Sequence, residues 1–204
     1  MSKKQHKEKR PAPVQVSVGK NFNVIDYSER PVFILGFFVL LLFLLLILYQ
    51  SLVFQGMEVG GSDAVSNVAR TMQLQNWEKK IGHYPLWDPY MFAGSPTYFR
   101  AAPQAWSLDT ILHKLNFVFD WRIWYFLAGA VGVFLLIKFL GLPALAAMLA
   151  SLAFVLMPHF QALVIVGHYS KFYALMWMPY VVVTFLYLLR RPRLLSLLLF
   201  TLAL

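Results

Sequence analysis

Residues 32–54 read VFILGFFVLLLFLLLILYQSLVF, twenty-three residues without a charge. At about 1.5 Å of rise per residue such a run crosses the roughly 30 Å of hydrocarbon in a bilayer. In that solvent every backbone N–H and C=O must be bonded within the segment, so the run is a helix or it does not cross. Three further apolar runs follow, at 123–140, 145–166 and 172–189. Four helical spans therefore dominate whatever this chain folds into, and the expected class is an all-α polytopic membrane protein.

The connections set the topology. The segment before the first span is polar and carries seven bases, Lys3, Lys4, Lys7, Lys9, Arg10, Lys20 and Arg30. Residues 1–30 thus read as a basic tail with too little apolar surface to bury, held on the cytoplasmic side by the positive-inside rule. The run at 32–54 is longer than a signal-peptide core and lacks a small-residue cleavage site, so it reads as an uncleaved anchor. Residues 55–121 form a long loop on the far side. Lys138 and Gly141-Leu142-Pro143 return the chain to the cytoplasm. Pro158 is expected to kink the third span, GHYSK at 167–171 to make a short outer turn, and Arg190, Arg191 and Arg193 to end the fourth span inside. Residues 194–204 begin a fifth apolar run whose eleven residues are too few to cross. The chain then reads as the N-terminal piece of a longer membrane protein, and no internal repeat is evident.

The chain is 59% hydrophobic with a net charge of +9. The bases flank apolar runs rather than cluster on a soluble module, which argues against nucleic acid as a partner and for the lipid bilayer. With no cysteine, disulfides and thiolate metal sites are excluded. Of nine acidic residues, six (Glu58, Asp63, Glu78, Asp88, Asp109 and Asp120) fall between 55 and 121. The first loop therefore holds most of the carboxylate chemistry.

Within that loop, Gly60-Gly61-Ser62-Asp63 turns the chain off the first span, and Ser62 is expected to cap a new helix with Asp63 in its first turn. Val65, Val68 and Met72 share one face at helical spacing; Asp63, Asn67 and Arg70 share the other. This predicts an interfacial amphipathic helix that presents a carboxylate outward. The bland alternative is that Asp63 only complements the helix dipole. A second amphipathic helix is expected at 107–119, with Ile111, Leu112, Leu115 and Phe119 as its stripe; Asp109 on it is a weaker catalytic candidate.

Between them lies PLWDPYMFAGSPTY, residues 85–98. Its three prolines forbid a continuous helix or a central strand, and Gly94-Ser95-Pro96 signals a turn. Trp87, Tyr90, Phe92 and Tyr98 form either an interfacial aromatic belt or the wall of a pocket, with Asp88 as a further carboxylate. In Gly167-His168-Tyr169-Ser170-Lys171, two nitrogen bases stand at the outer end of two spans. They either bind a phosphate or do ordinary work, Lys171 snorkelling and His168 capping the third helix.

The run Gly82-His83-Tyr84-Pro85-Leu86-Trp87-Asp88-Pro89-Tyr90-Met91-Phe92-Ala93-Gly94-Ser95-Pro96-Thr97-Tyr98, taken with Gly-Gly-Ser-Asp63 and the later Gly167-His168 and Lys171, resembles the bacterial YfhO-like membrane proteins. These look like polytopic glycosyltransferases of the GT-C fold, and the likeness extends over residues 30–191. It implies a GT-C-like architecture and transfer of a sugar from a polyprenyl-phosphate donor to an extracytoplasmic glycan, lipid or protein acceptor. It also implies Asp63 as the catalytic group or as a ligand to a divalent cation, His168 and Lys171 beside the carrier phosphate, and Trp87, Asp88, Tyr90 and Arg70 around the sugar. Such proteins are much longer, so the piece alone is expected to be inactive. Two other classes remain open: a transporter or flippase of a lipid-linked or anionic substrate, with Lys138 as its one candidate charge within a span, and a non-catalytic scaffold whose loop docks a partner.

Overall fold

The computed structural model describes residues 24–57, 60–90, 93–97 and 108–204, the side chains of Val24, Ala64, Asn67, Arg70 and Leu108 excepted. The basic tail through residue 23, Phe92 and Tyr98 of the aromatic loop, Ser107, and the side chains of Asn67 and Arg70 lie outside the described residues. The described chain is mostly helical. Helix α1 (Val24–Ser28) leads into α2 (Pro31–Leu48), whose first turn holds Pro31, and a one-turn α3 (Gln50–Val53) follows. Helix α4 (Ser62–Ile81), a two-stranded hairpin of β1 (Trp87–Asp88) and β2 (Ser95–Pro96), and α5 (Leu108–Lys114) make up the long loop. Then come α6 (Trp121–Phe139), α7 (Ala144–Val155), α8 (Pro158–Val166), α9 (Tyr169–Arg190) and α10 (Leu194–Ala203).

Four stretches are long and apolar enough to cross a bilayer: Pro31–Leu48, Trp121–Phe139, Ala144–Val166 and Tyr169–Arg190. This makes the chain a helical membrane protein. The third stretch is α7 and α8 together. The expected kink at Pro158 is a complete break: α7 stops at Val155 and Pro158 opens α8. At a helix start the missing N–H would have had no partner anyway, so the proline breaks the span at little cost. Pro179, by contrast, sits buried inside α9.

Helix α6 is the hub, packing on α2, α7 and α9. Its small residues let α9 approach closely. A Cβ on Gly129 would stand 2.7 Å from Met176 Sδ, and one on Gly132 would stand 2.7 Å from the Tyr180 ring. Close approach of this kind supplies the van der Waals packing that drives helix association in lipid, where the hydrophobic effect between helices is absent. Tyr180 Oη donates to the Ala128 carbonyl at 2.8 Å, and Ser151 Oγ donates to the Ala130 carbonyl at 2.9 Å, so buried hydroxyls fasten α9 and α7 to the same helix. Leu41, Leu45, Ile123, Phe126, Val155, Phe160, Phe172 and Met176 fill the core. Val32, Leu35, Leu40, Phe43 and Ile47 of α2 are exposed, the apolar outer face of a spanning helix.

One end of the bundle is closed by a carboxylate. Glu29 accepts two hydrogen bonds from Lys138 Nζ, at 2.9 and 2.7 Å, and a third from the Ala144 backbone N–H at 2.7 Å. It thereby joins the start of α2 to the end of α6 and the start of α7. At the same end, Arg190 donates to the Phe139 carbonyl at 3.1 Å and lies over the Phe139 ring.

Candidate functional site

The other end is assembled by one close approach. The N-cap of α4 is Gly61, not Ser62, which is already the first helical residue and makes no capping bond. A side chain at Gly61 would meet the carbonyl oxygens of Ile165 and Val166 at 2.2 and 2.5 Å, so only glycine permits this contact. The start of α4 is thus pressed against the end of α8. The opposed dipole ends favour that contact, and the positive start of α4 favours the carboxylate of Asp63 in its first turn.

The expected five-residue turn at 167–171 is only two residues long. Gly167 adopts φ 94°, and the N–H groups of Gly167 and His168 both donate to the Leu163 carbonyl, at 3.0 and 2.9 Å. This left-handed cap ends α8. The chain then reverses so sharply that Tyr169, Ser170 and Lys171 belong to α9, with His168 as its N-cap. His168 Nδ1 lies 3.0 Å from Asp63 Oδ2. Residues 105 positions apart are therefore joined, and both side chains stay open to solvent, with His168 39% and Asp63 45% exposed. Nδ1 faces the carboxylate, and among the described residues Nε2 has no hydrogen-bond partner. Lys171, one helical turn on and on the same face, is exposed and without an ionic partner among the described residues.

Arg122 is the residue the sequence reading missed. It is the second residue of α6 and its side chain is only 10% exposed. Its guanidinium carbon lies 4.9 Å from the Trp121 ring centre and 5.3 Å from that of Tyr169, the neighbour of His168. Asp120 Oδ1 caps the helix by accepting from the Arg122 N–H at 2.9 Å, while its Oδ2 stands 3.6 Å from Nη1, too far for a hydrogen bond. Among the described residues, the buried Nε and Nη1 have no hydrogen-bond partner. Leaving a buried charged donor unmet costs about 1–3 kcal/mol or more. Nearby, Tyr49 Oη donates to Gln161 Oε1 at 2.7 Å. The available signal for Arg122 was a base directly abutting the apolar run at 123–140, because ionisable groups at membrane depth are expensive.

The aromatic loop closes on itself. Trp87 pairs with Pro96 and Asp88 with Ser95, the Thr97 N–H donates to the Leu86 carbonyl at 2.9 Å, and Thr97 Oγ1 donates to the Pro85 carbonyl. The Trp87 ring lies across Gly94, where a Cβ would come within 2.3 Å of it. Asp88 is fully buried and accepts from the Tyr90 N–H at 3.0 Å, so it holds the turn rather than facing outward. Trp87 and Tyr90 are the exposed members, at 53% and 63%. Arg70 lies in α4 with its side chain outside the described residues.

The second amphipathic helix is shorter than expected. Helix α5 runs only from Leu108 to Lys114 and tightens into a 3₁₀ turn at Leu115–Phe117, because Asn116 Oδ1 accepts from the Trp121 N–H and Leu115 O from Trp124 Nε1. Asp109 on it accepts from Tyr125 Oη at 2.5 Å and from Trp177 Nε1 at 2.7 Å. Both bonds reach spanning helices, so this carboxylate clamps α5 to α6 and α9.

Among the described residues no group of three His, Cys, Asp or Glu side chains is placed to hold a metal ion. Asp63 and His168 supply two donors, so a divalent cation there would take its remaining ligands from substrate phosphate and water. Neither a family model, nor a curated protein, nor a solved structure matches the chain.

Proposed function

We propose that the Asp63–His168 end of the bundle is a sugar-transfer site of GT-C type, on the extracytoplasmic face of a bacterial inner membrane, with the N-terminus in the cytoplasm. The donor is a sugar on a polyprenyl phosphate; the acceptor is a glycan, lipid or protein hydroxyl. The observation that carries this reading is the 3.0 Å contact between Asp63 Oδ2 and His168 Nδ1, two exposed side chains brought together across the chain. A carboxylate on one imidazole nitrogen fixes the tautomer and stabilises the imidazolium, leaving the other nitrogen to work as a base.

The step balances as follows. The acceptor hydroxyl oxygen bonds to the anomeric carbon of the sugar, the bond from that carbon to the phosphate oxygen breaks, and the polyprenyl phosphate leaves with the electron pair. The hydroxyl proton passes to Nε2 of His168. Asp63 holds the ring and balances its positive charge. Lys171 offers a cation to the departing phosphate, and Trp87 and Tyr90 offer exposed aromatic faces to a sugar.

The transporter reading needs a free charge within a span. Lys138 is engaged at the end of α6 by Glu29, which favours the transferase reading. The test is complementation of cells lacking the gene with the full-length Asp63→Asn protein. The expected result is the same loss of envelope glycan as in the deletion, with undiminished protein. A normal glycan profile would remove the pair from any transfer, and altered complex formation with normal glycans would support the scaffold reading.

A further inference from the structure

We propose a second, buried binding site at this end: Arg122 is the centre of a pocket for a phosphate oxyanion, monoester or diester, at the start of α6. Four observations meet there. The side chain is nine-tenths buried, and among the described residues Nε and Nη1 have no hydrogen-bond partner. It lies against the rings of Trp121 and Tyr169, which shield it from water. The one carboxylate beside it, Asp120, is committed to capping α6 and stands 3.6 Å away, so the cation keeps unmet donors. Its helix start adds the positive end of a nineteen-residue dipole.

A chain that needed only an apolar plug here would place leucine or methionine at 122. A buried guanidinium with open donors suits an oxyanion, which accepts several charge-assisted bonds at once. The phosphate belongs either to a lipid or to a soluble ion, and the chemistry at Arg122 is shared. Tyr169, whose ring centre lies 5.3 Å from the guanidinium carbon, is the chain neighbour of His168, which places the site at the same end as the Asp63–His168 pair. The proposal stands whether or not a sugar is transferred there, because it is read by binding alone.

The experiment uses the full chain in a phosphate-free maltoside detergent. Melting temperature is followed during titration with inorganic phosphate, with farnesyl monophosphate, and with farnesol as the phosphate-free match. Farnesyl monophosphate should raise the melting temperature and farnesol should not. A response to inorganic phosphate at similar concentration assigns the site to soluble phosphate; a response to the lipid form alone assigns it to a lipid. Arg122→Met should weaken the response by about tenfold or more, the worth of one charge-assisted hydrogen bond. Without ligand it should melt close to the native protein, because an apolar chain of similar size removes two unmet buried nitrogens and gives up only a 3.6 Å ion pair with Asp120. An unchanged response in Arg122→Met, or no response to either phosphate in the native chain, overturns the proposal. A variant that melts lower without ligand while keeping the phosphate response assigns Arg122 a structural role alone.

Discussion

The two ends of the bundle treat charge in opposite ways. At the Glu29 end, one carboxylate receives three hydrogen bonds from two elements, two of them from its partner lysine. At the His168 end, an acid and a base touch while staying open to solvent, Lys171 has no ionic partner among the described residues, and Arg122 is buried with two nitrogens unmet. The first arrangement fastens helices. The second leaves hydrogen-bonding capacity unspent, which a stable fold tolerates where a ligand supplies the missing partner. The lesson is that position at a membrane end does not separate a functional charge from a structural one; satisfaction of its bonds does.

The comparison can be broken most forcefully at the pair itself. Asp63→Asn should lower transfer about a hundredfold or more, the usual share of a positioned acid–base group, as measured by sugar incorporation in membranes. Glu29→Gln should leave the same assay within twofold. Next in size is Gly61→Val. The new side chain collides with the Ile165 and Val166 carbonyls and must push α4 away from α8. Transfer should fall about tenfold or more, since a shift near 1 Å is costly to catalysis, while the Glu29–Lys138 contact persists.

Asp109→Ala sharpens the distinction within the His168 half. It strips the acceptor from Tyr125 and Trp177 and should destabilise the protein by about 1–3 kcal/mol, read as a lower melting temperature. If Asp109 were catalytic instead, transfer would vanish with stability unchanged. The smallest effect is expected at Glu29, whose carboxyl is held below its ordinary range by the bond from Lys138 and then by the Ala144 N–H. A lowered folded-state value means the contribution is present above the ordinary carboxylate range and lost as pH falls through that lowered value. Melting curves of native and Glu29→Gln protein should therefore differ slightly at neutral pH and converge in strong acid.

Much of this fold was legible because lipid makes local pattern decisive. A run such as 32–54 has one way to satisfy its backbone, so the four spans follow from length and hydropathy. The Gly60-Gly61 turn and the helix after it were also readable, although Ser62 was expected to cap it. What decided otherwise was a tertiary contact, the carbonyls of α8 against Gly61, which no local pattern encodes. The same holds for GHYSK, where glycine signalled a turn but not how early α9 resumes. Asp63 and His168 were singled out separately, and their meeting depends on the break at Pro158 and the reversal at Gly167. Arg122 escapes a reading by runs because it falls between the loop at 55–121 and the apolar run at 123–140, whereas the helix starts at Trp121. The bond from the Tyr90 N–H to Asp88 depends on the register of the hairpin, which the sequence does not spell out.

The most direct check uses the absence of native cysteine. The double variant Asp63→Cys with His168→Cys, oxidised in intact membranes, should form an intramolecular disulfide in most molecules and shift on a non-reducing gel, while Asp63→Cys with Lys138→Cys should not. A 63–168 pair that stays reduced, or one no faster than the 63–138 pair, would contradict the shared site on which the functional account rests.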